Sequence, residues 1–424
     1  MLERKPDSKY PSLVERFVKY AKIHTTAVEG SDSYPSHERQ FDLARVLVQE
    51  LKELGIEDAA VDDNCYVTAT IPANFPGGDK VPVISFISHM DTYPEVSGEN
   101  VQPIFHENYR GGDIKLPKND VVISIAENPY LNECLGETII TADGTTLLGA
   151  DDKAGIAEIM EAITRLVENP DFKHGTVKIA FTPDEEVGQG VKHFDIEKFG
   201  AKVAYTMDGG QRGEIENETF CADSAIVTFT GRDIHPGYAK DKMIPAIKVA
   251  SDFVASLPRE GAPETTEGKQ GYIHPIGIEG NTSATKVTLL IRDFDVNGLK
   301  PKADFIREKA EHACQRWPGA KVDVEIKEYY RNMKYDLEKE PRAVDYAMEA
   351  IERIGLKAKL GSIRGGTDGS NLSARGLPTP NIFTGEQSFH SYTEWVCTKD
   401  MELATKTILA TIQVWTEKEA GVKA

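Results

Sequence analysis

The acidic pair Asp151-Asp152 is the feature of this 424-residue sequence that most clearly suggests chemistry. It lies between a short predicted strand, residues 138–143, and a predicted helix whose apolar residues recur at helical spacing from Ile156. Asp152 is suited to cap that helix, which is an ordinary structural role for an aspartate. A cap requires only one of the two carboxylates. Asp151 is therefore free to bind a metal ion if other ligands converge on it.

Further residues suited to metal binding or acid–base chemistry follow other predicted strands. They are His89, Asp91, Glu185, Glu186, Asp208 and His390. Because the carboxyl ends of the strands in an open α/β sheet share one edge, we expect these side chains and Asp151 to converge there. Each has an ordinary alternative, such as a hydrogen-bonded surface histidine or a solvated acidic turn. These alternatives would all have to coincide at one edge of one sheet, which favours a shared site.

The donor atoms of this set indicate the kind of ion. Two histidines and three carboxylates offer mixed nitrogen and oxygen ligation, which suits zinc, cobalt or manganese. Five side chains exceed the three protein ligands of a usual catalytic zinc site. They suit two metal ions about 3.5–4 Å apart that share one bridging carboxylate. The sequence therefore predicts a two-metal site.

The length of the chain and the order of its predicted elements both indicate two domains. Strands alternate with helices up to Asp208 and again after Pro341, which is typical of an α/β sheet with helices on both faces. The intervening elements follow the order β-α-β-β-α-β, with a second helix predicted from Pro301. We expect a catalytic domain in two segments, residues 1–219 and 334–424, and an inserted domain at 220–333.

Composition limits the classes of partner. The formal net charge of -19 argues against binding nucleic acid or an anionic membrane surface. The five cysteines are scattered and form no C-x-x-C pair, which fits reduced thiols in the cytoplasm. The start of the chain lacks the apolar segment of a signal peptide, and no run is long enough to span a bilayer. We therefore expect a cytoplasmic protein.

Several motifs resemble those of the di-zinc exopeptidases related to aminoacylase. They are His89-Met90-Asp91, Gly149-Ala150-Asp151-Asp152-Lys153, Asp184-Glu185-Glu186-Val187-Gly188, Tyr205-Thr206-Met207-Asp208-Gly209-Gly210 and Gly365-Gly366-Thr367-Asp368-Gly369. The resemblance runs over essentially the whole chain. Within the family it is greatest to aminopeptidases that cleave tripeptides, to which residues 108–114 and 291–295 are also similar. It implies an α/β, mixed-sheet catalytic domain with an inserted ferredoxin-like (βαββαβ) α+β lid domain.

The resemblance also implies two zinc ions per subunit, with cobalt or manganese as substitutes, and a role for each site residue. The implied roles are ligation of one metal by His89 and Asp208, ligation of the other by Glu186 and His390, bridging by Asp151, general-base catalysis by Glu185 and orientation of His89 by Asp91. The chemistry supports these roles, because two metals activate a bridging water and polarise the scissile carbonyl. Glu185 can then take the water's proton and deliver it to the leaving amine. Asp91 can fix the tautomer of His89.

Two motifs of the inserted domain match family motifs whose residues reach over the metals. His235 lies in one of them and could donate a hydrogen bond to the developing oxyanion. Arg292 ends a strand and could bind the terminal carboxylate of a peptide through two hydrogen bonds. A surface histidine and a structural salt bridge are the ordinary alternatives. Arg364 and Asp368 are further candidates for contact with the substrate.

The sequence and its resemblance together predict a cytoplasmic di-zinc aminopeptidase that removes the N-terminal residue of short peptides, tripeptides in particular. A related di-zinc dipeptidase, carboxypeptidase or N-acyl-amino-acid hydrolase is the main alternative, because the metal chemistry does not encode which bond is cut. A non-catalytic, metal-stabilised binding protein is the second alternative. Glu185 argues against it, since a structural site needs no spare base. The native metal and the formation of a homodimer are left open.

Overall fold

The structure is a computed structural model that describes residues 2–422. The chain divides into two compact units. The first contains the chain up to Asn217, together with Asp336–Gly361 and the chain from Thr367 onward. The second contains Glu218–Tyr335 and the short segment Ser362–Gly366. The chain therefore leaves the first unit, forms the second unit and returns to the first. The second unit is an insertion.

The helices and strands have the following bounds. The α-helices are α1 (Leu13–Ala21), α2 (Gln40–Glu53), α3 (Ala150–Glu168), α4 (Ile196–Phe199), α5 (Ala246–Ala255), α6 (Val296–Gln315), α7 (Lys334–Leu337), α8 (Arg342–Arg353), α9 (Asp368–Ala374) and α10 (Thr398–Ala420). The strands are β1 (Ala60–Val61), β2 (Val67–Ile71), β3 (Ile84–His89), β4 (Ile104–His106), β5 (Ile114–Lys115), β6 (Val122–Ile123), β7 (Ile139–Thr141), β8 (Val177–Thr182), β9 (Val203–Gly209), β10 (Glu214–Thr219), β11 (Cys221–Thr230), β12 (Tyr272–Gly280), β13 (Ala284–Asp293), β14 (Lys321–Tyr330), β15 (Lys359–Ile363), β16 (Asn381–Phe383), β17 (Glu386–Gln387) and β18 (Trp395–Cys397).

The central sheet of the first unit has the strand order β1-β2-β8-β3-β9-β16-β10-β15. Its middle strands β8, β3, β9 and β16 are parallel to their neighbours within this group, whereas β2 and β10 run antiparallel to theirs. All six residues of β3 are buried, as expected for the middle of a covered parallel sheet. The predicted α/β fold with a mixed sheet is therefore confirmed. The carboxyl ends of these four parallel strands lie at the same edge of the central sheet.

A second, smaller sheet of the first unit has the order β17-β18-β7-β4. It contains β7, the strand that precedes Asp151, and β7 pairs antiparallel with β18 and β4. The expectation that Asp151 follows a strand of the central sheet is therefore wrong. All three residues of β7 are buried. So short an apolar pattern indicates burial but does not specify which strands are its partners.

Helix α3 forms much of the core of the first unit. It packs against α1 and α10 and contacts β3 and β9 of the central sheet. Gly155 permits this close approach, because a Cβ atom there would lie 2.1 Å from the carbonyl oxygen of Met207. Among the described residues, none of the helices combines the length and the apolar character required to cross a membrane.

The second unit has the element order β11-α5-β12-β13-α6-β14, which is the predicted βαββαβ order. Its sheet has the order β12-β13-β11-β14, and every adjacent pair is antiparallel. The core packs apolar residues of α5 and α6, such as Phe253 and Ile306, against Leu289 of the sheet. Helix α6 begins at Val296 rather than at the predicted Pro301. The Asp295 carboxylate caps the helix there by accepting a hydrogen bond from the Asn297 N–H at 2.9 Å.

Candidate active site

His89, Asp151 and Asp208 form one half of a cluster of donor side chains in the first unit. His89 is the last residue of β3, and its Nε2 atom lies 2.8 Å from Asp151 Oδ1 and 3.7 Å from Asp208 Oδ1. Asp208 lies near the end of the parallel neighbour β9. The parallel pairing brings His89 and Asp208 to the same sheet edge. Three donor side chains therefore converge from two strands and the irregular first turn of helix α3.

His390, Glu186 and Asp151 form the other half of the cluster. His390 Nε2 lies 2.8 Å from Glu186 Oε2 and 3.1 Å from Asp151 Oδ2. The two carboxylate oxygens of Asp151 thus face different histidines. The ring of Tyr93 stacks on the imidazole of His390 with 4.1 Å between centroids, which fixes the orientation of that ring. The geometry of Asp151 is that of a carboxylate shared between two sets of donors.

The start of helix α3, which carries Asp151, is held by Glu394, a residue that the sequence did not single out. The buried Glu394 carboxylate accepts hydrogen bonds from the N–H groups of Leu148, Gly149 and Asp151 at 2.7, 2.9 and 3.1 Å. Glu394 follows His390 by four residues, just before β18. One carboxylate therefore connects the loop of His390 to the start of helix α3, where Asp151 lies.

Asp152 does not cap helix α3, contrary to the ordinary interpretation of the acidic pair. The backbone of Asp151 and Asp152 departs from helical geometry, and a cis peptide bond joins the two residues. The Asp152 carboxylate instead accepts a hydrogen bond from the His89 N–H at 3.1 Å. The first turn of the helix is therefore fastened to the end of β3.

Asp91 connects His89 to the loop after β8. Its carboxylate lies 3.3 Å from His89 Nδ1, the ring nitrogen on the opposite side from Asp151. The same carboxylate accepts hydrogen bonds from the N–H groups of Glu185 and Glu186, each at 3.1 Å. Asp91 thus sets the orientation of one histidine and the position of two glutamates at once.

Asp184 anchors the Glu185-Glu186 turn from behind. It adopts a left-handed backbone conformation with φ +54°. Its buried carboxylate accepts hydrogen bonds from the Ser36 N–H and from the Gln40 side-chain amide, both at 2.6 Å. These bonds hold the two glutamates on a rigid 3₁₀ turn, residues Glu185–Val187. No sequence pattern pointed to this role for Asp184.

The charges of the cluster suit divalent cations. Burial and, to a lesser extent, the charge of Asp151 raise the pKa of Glu186 to about 8, although the bond with His390 opposes both effects. Burial lowers the pKa of His390, but its bonds with Asp151 and Glu186 raise that pKa to about 10. Protons on the imidazoles therefore balance the carboxylates, and metal cations would replace those protons.

The donor set also fits metal ions. His89, Asp151 and Glu186 each offer a ligand atom within 4.8 Å of the others, as do Asp151, Asp208 and Glu386. Within the described part of the chain, the buried Glu186 Oε1 atom has no hydrogen-bond partner. A cation would satisfy this atom, which otherwise costs free energy. The cluster therefore contains candidate groups for metal binding.

Glu185 differs from Glu186 in its surroundings. Its carboxylate makes no hydrogen bond to any side chain of residues 2–422, whereas that of Glu186 contacts His390. Burial raises the pKa of Glu185 well above its ordinary value, which the charge of His89 opposes and that of Asp208 supports. Glu185 therefore lies next to the cluster as an unengaged carboxylate.

Asp368 lies close to the cluster but is buried. Its carboxylate accepts a hydrogen bond from Thr182 Oγ1 at 2.8 Å, at the end of β8. A Cβ atom on Gly190 would come within 2.2 Å of the same carboxylate, so the backbone approaches it closely. Burial raises the pKa of Asp368 to about 7, against the effect of the Thr182 bond. Asp368 therefore lies against Thr182 and Gly190, which flank the segment that carries Glu185 and Glu186.

The three other predicted site residues belong to the second unit. His235 is exposed, and its Nδ1 atom accepts a hydrogen bond from the Gly237 N–H at 3.2 Å. Arg292 donates from Nη1 to the carbonyl of Asp223 at 3.1 Å, and its guanidinium lies 5.9 Å from the centre of the Tyr330 ring. Both residues thus hold defined positions within their own unit.

Arg364 fastens the segment Ser362–Gly366 within the second unit. Its Nη1 atom donates to the carbonyls of Gly268 and Gln270 at 2.6 and 3.0 Å. Its guanidinium lies 5.2 Å from the centre of the Phe220 ring. These bonds give Arg364 a structural task in addition to the predicted contact with substrate.

Comparisons with known proteins agree with this fold. Residues 141–414 match the model of the peptidase family M20/M25/M40. Peptidase T of Clostridium acetobutylicum is 47% identical over 407 residues, which are 96% of this chain and 99% of that protein. Peptidase T of Geobacillus kaustophilus is also 47% identical, over 408 residues that cover 96% of this chain and 98% of that protein.

Solved structures share the fold. The aminopeptidase PepT from Bacillus cereus superposes with a TM-score of 0.74 at 24% identity, covering 95% of this chain and 98% of that one. A tripeptidase from Staphylococcus aureus superposes with the same TM-score at 21% identity, covering 96% and 98%.

This chain belongs to the peptidase family M20/M25/M40. Within that family its near relatives are peptidase T proteins, which it matches over nearly their whole length. The chain is therefore a peptidase, and the expectation of a hydrolytic enzyme is confirmed. The family resemblance inferred from the motifs is confirmed as well.

Proposed function

We propose that this peptidase removes the N-terminal residue of tripeptides and uses two divalent metal ions, zinc in the first place, with cobalt or manganese as substitutes. The observation that carries the proposal is the position of Asp151. Its two oxygens face His89 and His390, and each histidine has a second carboxylate beside it. Two ions that share one carboxylate would use this arrangement fully.

The residues that would hold the two ions follow from the same contacts. His89 and Asp208 would bind one ion, Glu186 and His390 the other, and Asp151 both. When bound, the ions would supply an activated water and polarise the carbonyl of the scissile bond. Asp91 would hold the proton on His89 Nδ1 and leave Nε2 free to bind metal.

Glu185 would act as the general base. Its carboxylate lies beside the cluster without a hydrogen bond to the described protein, so its oxygens are available to the attacking water. Glu185 would take a proton from that water and pass it to the leaving amine. The N–H groups of Glu185 and Glu186 each donate a hydrogen bond to the Asp91 carboxylate. These bonds would hold the Glu185 side chain towards the water and the Glu186 side chain towards the ion.

The names of the relatives support the choice of substrate. The similar B. cereus structure is an aminopeptidase, and the S. aureus structure is a tripeptidase. Small peptides would then be the partners of the site. We also propose a cytoplasmic location, supported by five free cysteine thiols, and no nucleic-acid partner, supported by the net charge of -19.

Three forms of one tripeptide test the bond that is cut. The free peptide, its N-acetylated form and its C-terminal amide are each incubated with the metal-loaded enzyme, and the products are identified by mass spectrometry. We expect the free peptide to yield its N-terminal amino acid and a dipeptide, and the N-acetylated peptide to remain intact.

The other possible products distinguish the alternatives. Release of the C-terminal residue would indicate a carboxypeptidase, and release of acetate would indicate an N-acyl-amino-acid hydrolase. Cleavage of dipeptides in preference to tripeptides would indicate a dipeptidase. Binding without any product would indicate a binding protein.

We further propose that the inserted unit acts as a lid and supplies two contacts with the substrate. His235 would stabilise the developing oxyanion, and Arg292 would bind the carboxylate of the tripeptide. The resemblance of their motifs supports these roles. An extended residue spans at most about 3.3–3.6 Å, so a tripeptide is only about 10 Å long. Binding of the C-terminal carboxylate by Arg292 would therefore select peptides of three residues over shorter and longer ones.

Arg292→Ala is expected to lower kcat/KM for the free tripeptide about 10–100-fold, because the loss of hydrogen bonding to a charged group costs roughly 1.5–3 kcal/mol. The loss for the C-terminal amide should be much smaller, and the preference for tripeptides over tetrapeptides should decrease. Arg292→Lys should restore only part of the activity, since an ammonium group lacks the planar fork of arginine. The measurement is kcat/KM for di-, tri-, tetra- and amidated peptides.

Arg307→Ala is the matched control for this experiment. Arg307 lies in the same unit, and its guanidinium contacts Asp304 on the surface of α6. This variant should behave as the wild type on every peptide. Equal losses on free and amidated tripeptides in Arg292→Ala would show that Arg292 does not bind the carboxylate.

A further inference from the structure

Glu386 is a buried carboxylate beside the cluster to which no role has been given so far. Its relative exposure is 2%. One of its carboxylate oxygens lies within 4.8 Å of oxygens of both Asp151 and Asp208. Among the residues that the structure describes, Oε2 of Glu386 has no hydrogen-bond partner. A glutamate that points into a donor cluster with an unsatisfied oxygen needs a physical explanation.

The backbone around Glu386 is held firmly. Glu386 begins β17 and pairs with Val396 of β18. The preceding Thr384 donates its side-chain hydroxyl to the carbonyl of Gly209 at 2.8 Å, next to Asp208. The Glu386 side chain is therefore directed towards the cluster by the same two chain segments that carry Asp208 and His390.

Two states of the Glu386 carboxyl group could reduce the free-energy cost of its burial. It could be a neutral acid, or it could be a carboxylate with a cation beside it. Burial raises the pKa of Glu386 well above its ordinary value, and the charges of Asp151 and Asp208 raise it further. Glu386 could then be a neutral acid, but a neutral acid would be expected to donate its proton to a nearby acceptor. An ionised carboxylate without a partner would be strongly destabilising unless a cation lay beside it. The ligand oxygens of Asp151 and Asp208 beside Glu386 favour the cation. An unpartnered oxygen alone would not, since the buried Glu158 also has unpartnered oxygens and, within residues 2–422, lies in no such group.

We propose that Glu386 is a further ligand of the metal ion that Asp151, Asp208 and His89 hold. The proposal rests on the two-metal function described above and extends it. It makes the two positions unequal, because the ion beside Glu386 has three carboxylates and the other has two. The position beside Glu386 should therefore bind its ion more tightly than the other position. It should also accept Mn²⁺, which prefers oxygen ligands, more readily.

Metal titration of the metal-free enzyme tests this assignment. The wild type, Glu386→Gln and Glu158→Gln are titrated with Zn²⁺ and with Mn²⁺ in competition with a chelating dye. We expect Glu386→Gln to weaken one of the two binding steps by at least about 10-fold and to leave the other unchanged. The loss should be larger for Mn²⁺ than for Zn²⁺.

Glu158→Gln is the matched control. Glu158 lies on helix α3, is fully buried, and its carboxylate oxygens find no hydrogen-bond partner in the described chain. It is absent from every candidate group of ligands within residues 2–422. The same change of a buried glutamate should therefore leave both binding steps unchanged.

The outcomes separate this proposal from the proposed function. If Glu386→Gln bound both ions with wild-type affinity, Glu386 would be a neutral acid that glutamine imitates, and the assignment would be overturned. The two-metal peptidase would then stand, since the wild type would still bind two ions and cleave tripeptides. A wild type that bound no pair of ions would overturn both.

Crystals of the Mn²⁺-loaded wild type give a second measurement that does not depend on the folding of a variant. Anomalous scattering locates the ions, and the distance from the Glu386 carboxylate to the nearer ion is then read directly. A separation of about 2.0–2.3 Å would support ligation. A separation beyond about 3.5 Å would exclude a direct bond and overturn the proposal.

Discussion

Asp151→Ala is expected to abolish the binding of both metal ions together and to lower tripeptide turnover by more than about 10³-fold. The reason is that its two oxygens face the two histidines, at 2.8 Å and 3.1 Å, so neither half of the cluster keeps its donors without it. The activated water and the polarised carbonyl would be lost at the same time. Metal content after dialysis and peptide kinetics measure the two effects.

Chelation of the wild type should reproduce this loss, and addition of zinc or cobalt should reverse it. Asp195→Ala serves as a control, because Asp195 caps the short helix α4 by accepting a hydrogen bond from the Lys198 N–H. It should leave metal content and turnover unchanged. If Asp151→Ala retained one ion at full affinity, Asp151 would belong to a single position and would not be the bridge. Full activity with no residual metal would contradict the two-metal function altogether.

Part of the candidate site was predictable because it follows from strand order. His89, Glu186 and Asp208 come directly after or near the ends of the parallel strands β3, β8 and β9. Parallel neighbours bring such ends to one edge, so a linear sequence was sufficient to group these residues. The βαββαβ order of the second unit was predictable for a similar reason, since alternating and helical apolar patterns differ clearly.

The supports of the site were not predictable in this way. Glu394 contacts Leu148 although the two residues are 246 positions apart. Glu386 and Glu394 lie in polar stretches that resemble ordinary solvated loops. Their burial depends on the pairing of β17 with β18 and of β18 with β7, which no local pattern encodes. Long-range pairing of very short strands thus decides which acidic residues are buried.

The pair Glu185→Gln and Glu186→Gln should separate catalysis from metal binding. Glu185→Gln is expected to retain both ions and to lose about 10²–10⁴-fold in kcat, because an amide cannot accept the proton of the attacking water. Glu186→Gln should instead lose the ion shared with His390, since the Glu186 carboxylate lies 2.8 Å from His390 Nε2. Metal analysis and tripeptide kinetics are measured on both variants.

Each variant is the matched control of the other. Glutamine keeps nearly the shape of glutamate in both cases, and the N–H groups of both positions stay bonded to Asp91. A difference between the two variants must therefore come from the carboxylates and not from the backbone of the turn. Added zinc should restore part of the activity of Glu186→Gln and none of that of Glu185→Gln, because only the former has lost metal affinity. Loss of metal in Glu185→Gln with a fully metallated, inactive Glu186→Gln would reverse the two assignments.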